Sequence, residues 1–394
     1  MKNVFFTLKL ILLLFSFLIL VSCRDKSINE NVDPFYQYEI PSKIDDDWEV
    51  ASVEDVDLDK DKLTKMIDEI SNMPDHKIHS ILIVKDSKLV FEKYFKGFLF
   101  DTDYIQSEGD LIQYDENTLH YLASVTKSIT SIILGIAIDK GLDIDVNKLL
   151  LEYYPEYSDI LIDDKASITI KNLLTMSAGL DWNEAYYSYT DPRNDVFILF
   201  SNDDPIKYIL QKNIVTKPGE RFYYNSGYTN IIADIIQKKI GVPFFKFAEE
   251  NLFTPLKINN YRWDEINNEL IFASGGLYLT PRSLAKIGEV FLNGGKWKDE
   301  PIISKDWIDE STQAYINPNY YFFADGYGYQ WWNYNFTNYE KTYSCYFAAG
   351  WGEQFLYIFP EQNMEIIITS GYFFTYDGIT PHEIVSDYIL NSIK

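Results

Sequence analysis

Ser124 and Lys127 stand three residues apart in Leu122-Ala123-Ser124-Val125-Thr126-Lys127-Ser128, at the start of a strongly apolar stretch. On a helix that spacing makes the two side chains neighbours on one face. A serine hydroxyl is a poor nucleophile until a base takes its proton, and a lysine can be that base when burial or nearby positive charge lowers its pKa. Ile129, Ile132, Ile133, Leu134, Ile136, Ala137 and Ile138 then cover nearly the whole circumference of a helix, which predicts a core helix and a buried lysine. The same pattern recurs at Ser283-Leu284-Ala285-Lys286, so a bare Ser-x-x-Lys decides nothing. The second copy lies inside an amphipathic helix opened by Thr280-Pro281 and lacks suitable partners downstream, which marks it as structural.

Ser124 does have partners downstream. Phe222-Tyr223-Tyr224-Asn225-Ser226-Gly227-Tyr228 follows the turn Lys217-Pro218-Gly219-Glu220 and contains Tyr223-x-Asn225. In an acylation mechanism the tyrosine oxygen relays the proton between serine, lysine and leaving group, while the Asn amide orients substrate and lysine. Tyr224 is adjacent and stays open as the relay, and an aromatic-rich turn is a fair alternative in a chain with 31 tyrosines. Further on, Phe347-Ala348-Ala349-Gly350-Trp351-Gly352-Glu353-Gln354 puts small residues before a strong strand. Glycine at Gly350 lets a ligand approach the strand backbone, whose N–H groups together with that of Ser124 would form an oxyanion hole; a bulge or bend explains the glycine equally well.

In this order, Ser124-x-x-Lys127, Tyr223-x-Asn225 and the Gly350 segment resemble the three motifs of the serine β-lactamase and penicillin-binding superfamily. Residues 168–180, Phe253-Thr254-Pro255-Leu256, Gly275-Gly276-Leu277 and Gly328-Tyr329-Gln330-Trp331-Trp332 extend the resemblance to its class C-like branch, from about Trp48 to the C-terminus. The pattern is similar to 6-aminohexanoate-dimer hydrolases and related esterases. The resemblance implies Ser124 as the acylated nucleophile, Lys127 as its activating partner, Tyr223 as proton relay, and Asn225 and Gly350 as substrate-positioning residues. One departure bears on substrate: where β-lactamases and transpeptidases carry Lys or His two residues before the glycine, this chain has Ala348, so the usual anchor for a substrate carboxylate is missing. A small amide or ester is therefore the expected substrate. A penicillin-binding D,D-peptidase or β-lactamase, and a non-catalytic surface module of the same fold, are the alternatives. The chain has no Gly-x-Ser-x-Gly elbow, no His-Glu-x-x-His pair and no phosphate loop, so no metal or other cofactor is implied.

Several elements must position these residues. Leu63 to Ile70 has helical spacing, and His79–Val84 with Lys88–Tyr94 reads as a hairpin across Lys85-Asp86-Ser87. Helices then run through the middle of the chain, and strands return at Gly328–Tyr334, Tyr346–Ala349, Gln354–Phe359 and Glu365–Ser370 before a closing helix over Glu383–Ile393. The expected fold is α/β (α+β), β-lactamase/transpeptidase-like: an antiparallel sheet flanked by helices, its lobe built from about 46–117 and 270–394, with an all-helical lobe of about 118–269 inserted between the halves. The site is expected in the cleft between them.

Ahead of that domain, Lys2 and Lys9 flank an apolar run from Leu10 to Val21 that is too short to span a bilayer and reads as the core of an export signal. It ends Leu20-Val21-Ser22-Cys23, resembling a bacterial lipobox. Residues 1–22 are then a lipoprotein signal peptide, Cys23 the lipid anchor, and 23–45 a polar tether, which puts the domain in the cell envelope outside the cytoplasm. Cleavage would leave 372 residues and move the net charge from −24 to −26, which argues against a nucleic-acid or anionic-lipid partner. The second cysteine, Cys345, reads as a small buried hydrophobe on a strand.

Overall fold

A computed structural model describes residues 35–394, apart from 75, 101–107, 268–269, 320, 322, 339–340, 374 and 376–377. Cys23 and the signal segment lie outside the described residues. Gln37–Lys394 forms one compact unit. The domain begins earlier than the expected boundary at 46. Tyr38 stacks on Phe91 with ring centroids 6.1 Å apart, its hydroxyl donates to Val90 O at 2.8 Å, and Ser42 O accepts from Arg282 at 2.9 Å. The Tyr38 ring and several polar groups help hold this stretch, which composition alone reads as tether.

Seven antiparallel strands make the central sheet: β1 (Ile78–Lys85), β2 (Lys88–Tyr94), β3 (Gly326–Tyr327), β4 (Trp332–Asn338), β5 (Lys341–Gly350), β6 (Gln354–Phe359) and β7 (Met364–Ser370), in the order β3-β4-β5-β6-β7-β1-β2. The N-terminal hairpin thus adds to strands some 270 residues later, with Ile81 opposite Ile368 and Ile83 opposite Ile366. β6 and β7 are buried along their whole length, as expected of inner strands covered by helices on both faces. The hairpin turn puts Asp86 and Ser87 in the left-handed region, at φ 53° and 61°, which suits a two-residue connection between twisted strands. β4 starts at Trp332 rather than Gly328, because Gly328 and Trp331 close a turn through a 2.7 Å backbone bond with Gln330 at φ 66°. Cys345 is buried on β5 as expected.

The helices that matter for the site are α1 (Lys60–Ser71), α2 (Val125–Asp139), α3 (Asp195–Phe200), α4 (Pro205–Gln211), α5 (Ser226–Ile240) and α6 (Pro281–Leu292). Every residue of α2 from Val125 to Ala137 is buried, so the helix is encased by the others rather than lying on the surface. α2 packs on α5 and on β5, which makes it the link between the helical region and the sheet. The helical region is not helical throughout: His120–Tyr121, Leu277–Leu279 and Tyr261–Trp263 form a small three-stranded sheet where the chain enters and leaves it. Its Leu277 carbonyl accepts from Leu122 N at 3.0 Å, two residues before Ser124.

Candidate active site

Ser124 sits on the turn that launches α2. Ala123 is held at φ 46°, a conformation that L-residues with a Cβ rarely adopt, and Val125 N and Thr126 N bond back to Leu122 O and Ala123 O at 3.1 Å each. The hydroxyl of Ser124 makes no capping bond to its own helix, so it is available to other partners. Lys127 Nζ donates to Ser124 Oγ at 2.9 Å and to the Ser274 carbonyl at 2.8 Å. Its side chain is buried, 2% exposed, and burial lowers the pKa to about 8, with the negative charge of Glu184 pulling the other way. A lysine near that value is a free amine for about a tenth of the time at pH 7, hundreds of times more than an exposed lysine.

The tyrosine that meets this pair is Tyr224, not Tyr223. The rings of Phe222 and Tyr224 lie 6.4 Å apart on one side of the segment, while Tyr223 between them reaches Asp181. Tyr224 points inward: Lys127 Nζ lies 4.9 Å from its ring centre, and its ring stacks on Trp332 at 6.2 Å. Burial and the Glu184 charge raise its pKa well above the usual phenol value. Tyr223 points outward, where its hydroxyl reaches Asp181 Oδ1 at 3.3 Å.

Asn225 is likewise displaced from its expected role. It is the N-cap of α5, its Oδ1 accepting from Gly227 N at 2.8 Å, and it is absent from the cavity wall, where Ser226 stands instead. Gly350 is where the sequence places it. A Cβ on Gly350 would lie 2.3 Å from Leu122 O and 3.2 Å from Ser124 N, so only glycine lets the end of β5 press against the turn carrying the nucleophile. Trp351, the next residue, forms part of the cavity wall.

That cavity has a volume of about 540 Å³ and opens directly over Ser124. Phe100, Tyr121, Tyr189, Phe197, Phe200, Phe272 and Trp351 supply its aromatic wall, with the acids Asp264 and Glu265 also lining it and no Lys, Arg or His among the described lining residues. The rings brace one another: Phe100 stacks on Tyr121 at 4.8 Å, Tyr189 tilts against Trp351 at 5.0 Å, and Phe200 meets Phe272 edge-on at 4.9 Å. Ala348 is fully buried in β5, so nothing cationic replaces the missing anchor there.

Two residues that sequence reasoning did not single out complete the surroundings. Ser274 gives its carbonyl to Lys127, and its hydroxyl accepts from Asn230 Nδ2 at 3.2 Å. Glu184 is buried and receives Trp182 Nε1, Ser226 N and Ser226 Oγ. Glu184 belongs to a polar, aromatic loop, and nothing in its local pattern distinguishes it from a surface acid. Among the described residues, no three His, Cys, Asp or Glu side chains converge as a metal site would require.

Compared with known proteins, residues 70–378 match the beta-lactamase family, and the chain belongs to that family. The chain is 25% identical over 243 residues to the 6-aminohexanoate-dimer hydrolase of Paenarthrobacter ureafaciens, covering 58% of this chain and 56% of that enzyme. It spans about half the length of the curated relatives it matches. Among solved structures, the octameric penicillin-binding protein homologue from Pyrococcus abyssi superposes with a TM-score of 0.59 at 22% identity, covering 86% of this chain and 77% of that one. A family VIII carboxylesterase superposes with a TM-score of 0.62 at 17% identity, covering 90% of this chain and all of the other. At those identities the two superpositions establish the shared fold.

Proposed function

We propose that the protein is a serine hydrolase that cleaves a small amide or ester with an apolar acyl group through an acyl-enzyme on Ser124. The observation that carries this is the 2.9 Å contact between Lys127 Nζ and Ser124 Oγ at the floor of an aromatic cavity. In the first half-reaction Lys127 takes the Ser124 proton as Oγ attacks the substrate carbonyl, and the carbonyl oxygen becomes an oxyanion beside the Ser124 backbone N–H and the Gly350–Trp351 strand end. Collapse expels the amine or alcohol, which receives the proton from Lys127 through the Tyr224 hydroxyl. Water then attacks the ester, losing its proton to Lys127, and Ser124 regains a proton as the acid leaves. The relative that hydrolyses 6-aminohexanoate dimer and the structural likeness to a carboxylesterase support an amide or ester substrate. A wall of rings flanked by two acids suits a neutral apolar acyl group and disfavours the carboxylate of a penicillin or a D-alanyl-D-alanine peptide.

Export and lipid attachment at Cys23 belong to the same reading; incorporation of labelled fatty acid that disappears in Cys23→Ser tests them. The catalytic reading is tested by intact-mass spectrometry of residues 37–394 after exposure to a fluorophosphonate and, separately, to a penicillin, with Ser124→Ala as control. A Ser124-dependent phosphonyl adduct without a penicillin adduct is expected. A stable penicilloyl adduct would identify a cell-wall enzyme, and no adduct with either probe would leave a binding module of the same fold.

A further inference from the structure

The hydroxyl, amine and phenol of the proposed site are uncharged or cationic, yet a buried carboxylate stands beside them. Glu184 lies in the loop between Leu180 and α3, 7% exposed, with three donors converging on its two oxygens: Trp182 Nε1 at 2.5 Å and Ser226 N at 2.9 Å on Oε2, and Ser226 Oγ at 2.9 Å on Oε1. Its backbone is pinned as well, since Glu184 O accepts from Asn194 Nδ2 at 3.3 Å, while the neighbouring Asn183 N donates to Asp195 Oδ2 at 2.6 Å. A carboxylate accepting at both oxygens from fixed donors is held in place without water.

Both ends of this arrangement reach the reacting atoms. Ser226 lines the same cavity as Ser124 and begins α5, and the Ser226 carbonyl accepts from Asn230 Nδ2, which also donates to Ser274 Oγ. Ser274 in turn offers its carbonyl to Lys127 Nζ. The Glu184 charge acts on Lys127, on Tyr224 and on Tyr321. One step further away, Asp195 is paired with Lys212, the residue that closes α4, and accepts from the Tyr208 hydroxyl on that helix.

We propose that Glu184 is a positioning residue of the hydrolase: it fixes Ser226 on the cavity wall and supplies the fixed negative charge that stabilises Lys127 as an ammonium once the Ser124 proton has arrived. The proton moves from Ser124 Oγ to Lys127 Nζ, and the ammonium that forms is stabilised by the nearby Glu184 charge. Glu184 exchanges no proton. It also discourages ionisation of Tyr224, so the phenol passes protons on without resting as a phenolate.

This rests on the Ser124 acylation reading, and the test separates the two. The rate of fluorophosphonate labelling is followed from pH 5 to 10 in the wild type and in Glu184→Gln, with a thermal melt to confirm folding. Loss of the charge makes Lys127 easier to deprotonate and a weaker base. The acid limb of the Glu184→Gln profile is therefore expected to shift by about half a pH unit or more to lower pH, and its plateau rate to fall roughly tenfold. Trp182→Phe keeps the charge but strips one donor from it, leaving more of it facing Lys127, and moves the limb to higher pH. This second variant also gives a reading if Glu184→Gln does not fold. A limb that stays in place in either variant, or moves the same way in both, overturns the role of Glu184 while leaving Ser124 acylation intact. Absence of labelling in the wild type at every pH overturns the acylation reading and this one with it.

Discussion

The chain contains two Ser-x-x-Lys segments at the start of helices, and they do different things. In both, the lysine is buried, 2% exposed, and its pKa is lowered by burial. Lys127 points its amine at Ser124 Oγ beneath a cavity; Lys286 points its amine at the Leu256 carbonyl, 2.9 Å away in solid protein. Ser124 precedes its helix on a turn strained at Ala123, and its hydroxyl makes no cap. Ser283 lies in the first turn of α6, where Thr280 Oγ1 accepts from Ser283 N at 3.2 Å and donates to Ser283 Oγ at 2.9 Å, the geometry of a capped helix. Lowering a lysine's pKa is therefore common to both segments. What distinguishes the first is a serine left free by its turn and an open space above it.

Substitutions that break this contrast are expected to divide sharply. Ser124→Ala abolishes covalent labelling and turnover, and Lys127→Met lowers kcat/KM on the order of a thousandfold or more, since no other base replaces it. Gly350→Ala comes next: its methyl group would meet Leu122 O, displacing the turn under Ser124, with a loss of roughly a hundredfold in kcat at retained fold by circular dichroism. Tyr224→Phe lowers kcat by about a hundredfold, whereas Tyr223→Phe stays within about twofold, a pair of assays that checks which tyrosine carries the proton. At the small end, Ser283→Ala and Lys286→Met leave kcat/KM within about twofold. Lys286→Met changes unfolding free energy by about 1–3 kcal/mol in a denaturant titration, because the Leu256 carbonyl loses its partner. The pH dependence should carry the same signature. Lys127 accepts a proton only as the free amine, so kcat/KM rises with pH through about 8, and the stage below that value is the inactive ammonium form.

How much of this was legible beforehand depended on whether the signal was local. The pairing of Ser124 with Lys127 follows from helical spacing, and the burial of that lysine from the apolar circumference of α2. The hairpin of β1 and β2 and the Thr280-Pro281 start of α6 are equally local. The place of Tyr224 required knowing the side to which each of two adjacent tyrosines turns, which their sequence cannot reveal. The side chain of Asn225 suits facing substrate by its type, yet the same chemistry suits a helix cap, and its Oδ1 caps α5. Glu184 reaches the site through a loop whose path is set by Asn194 and Asp195, residues ten and more positions away, so no window of sequence shows it. The packing of Tyr38 on Phe91 spans 53 positions and was hidden for the same reason.

The contrast between the two segments is tested most directly by mapping where a fluorophosphonate attaches, using peptide mass analysis of the wild type and Lys127→Met after brief exposure at pH 8. Modification confined to Ser124 in the wild type and slowed by orders of magnitude in Lys127→Met is the expected result. Modification at Ser283, or at Ser124 with an unchanged rate in Lys127→Met, would contradict it.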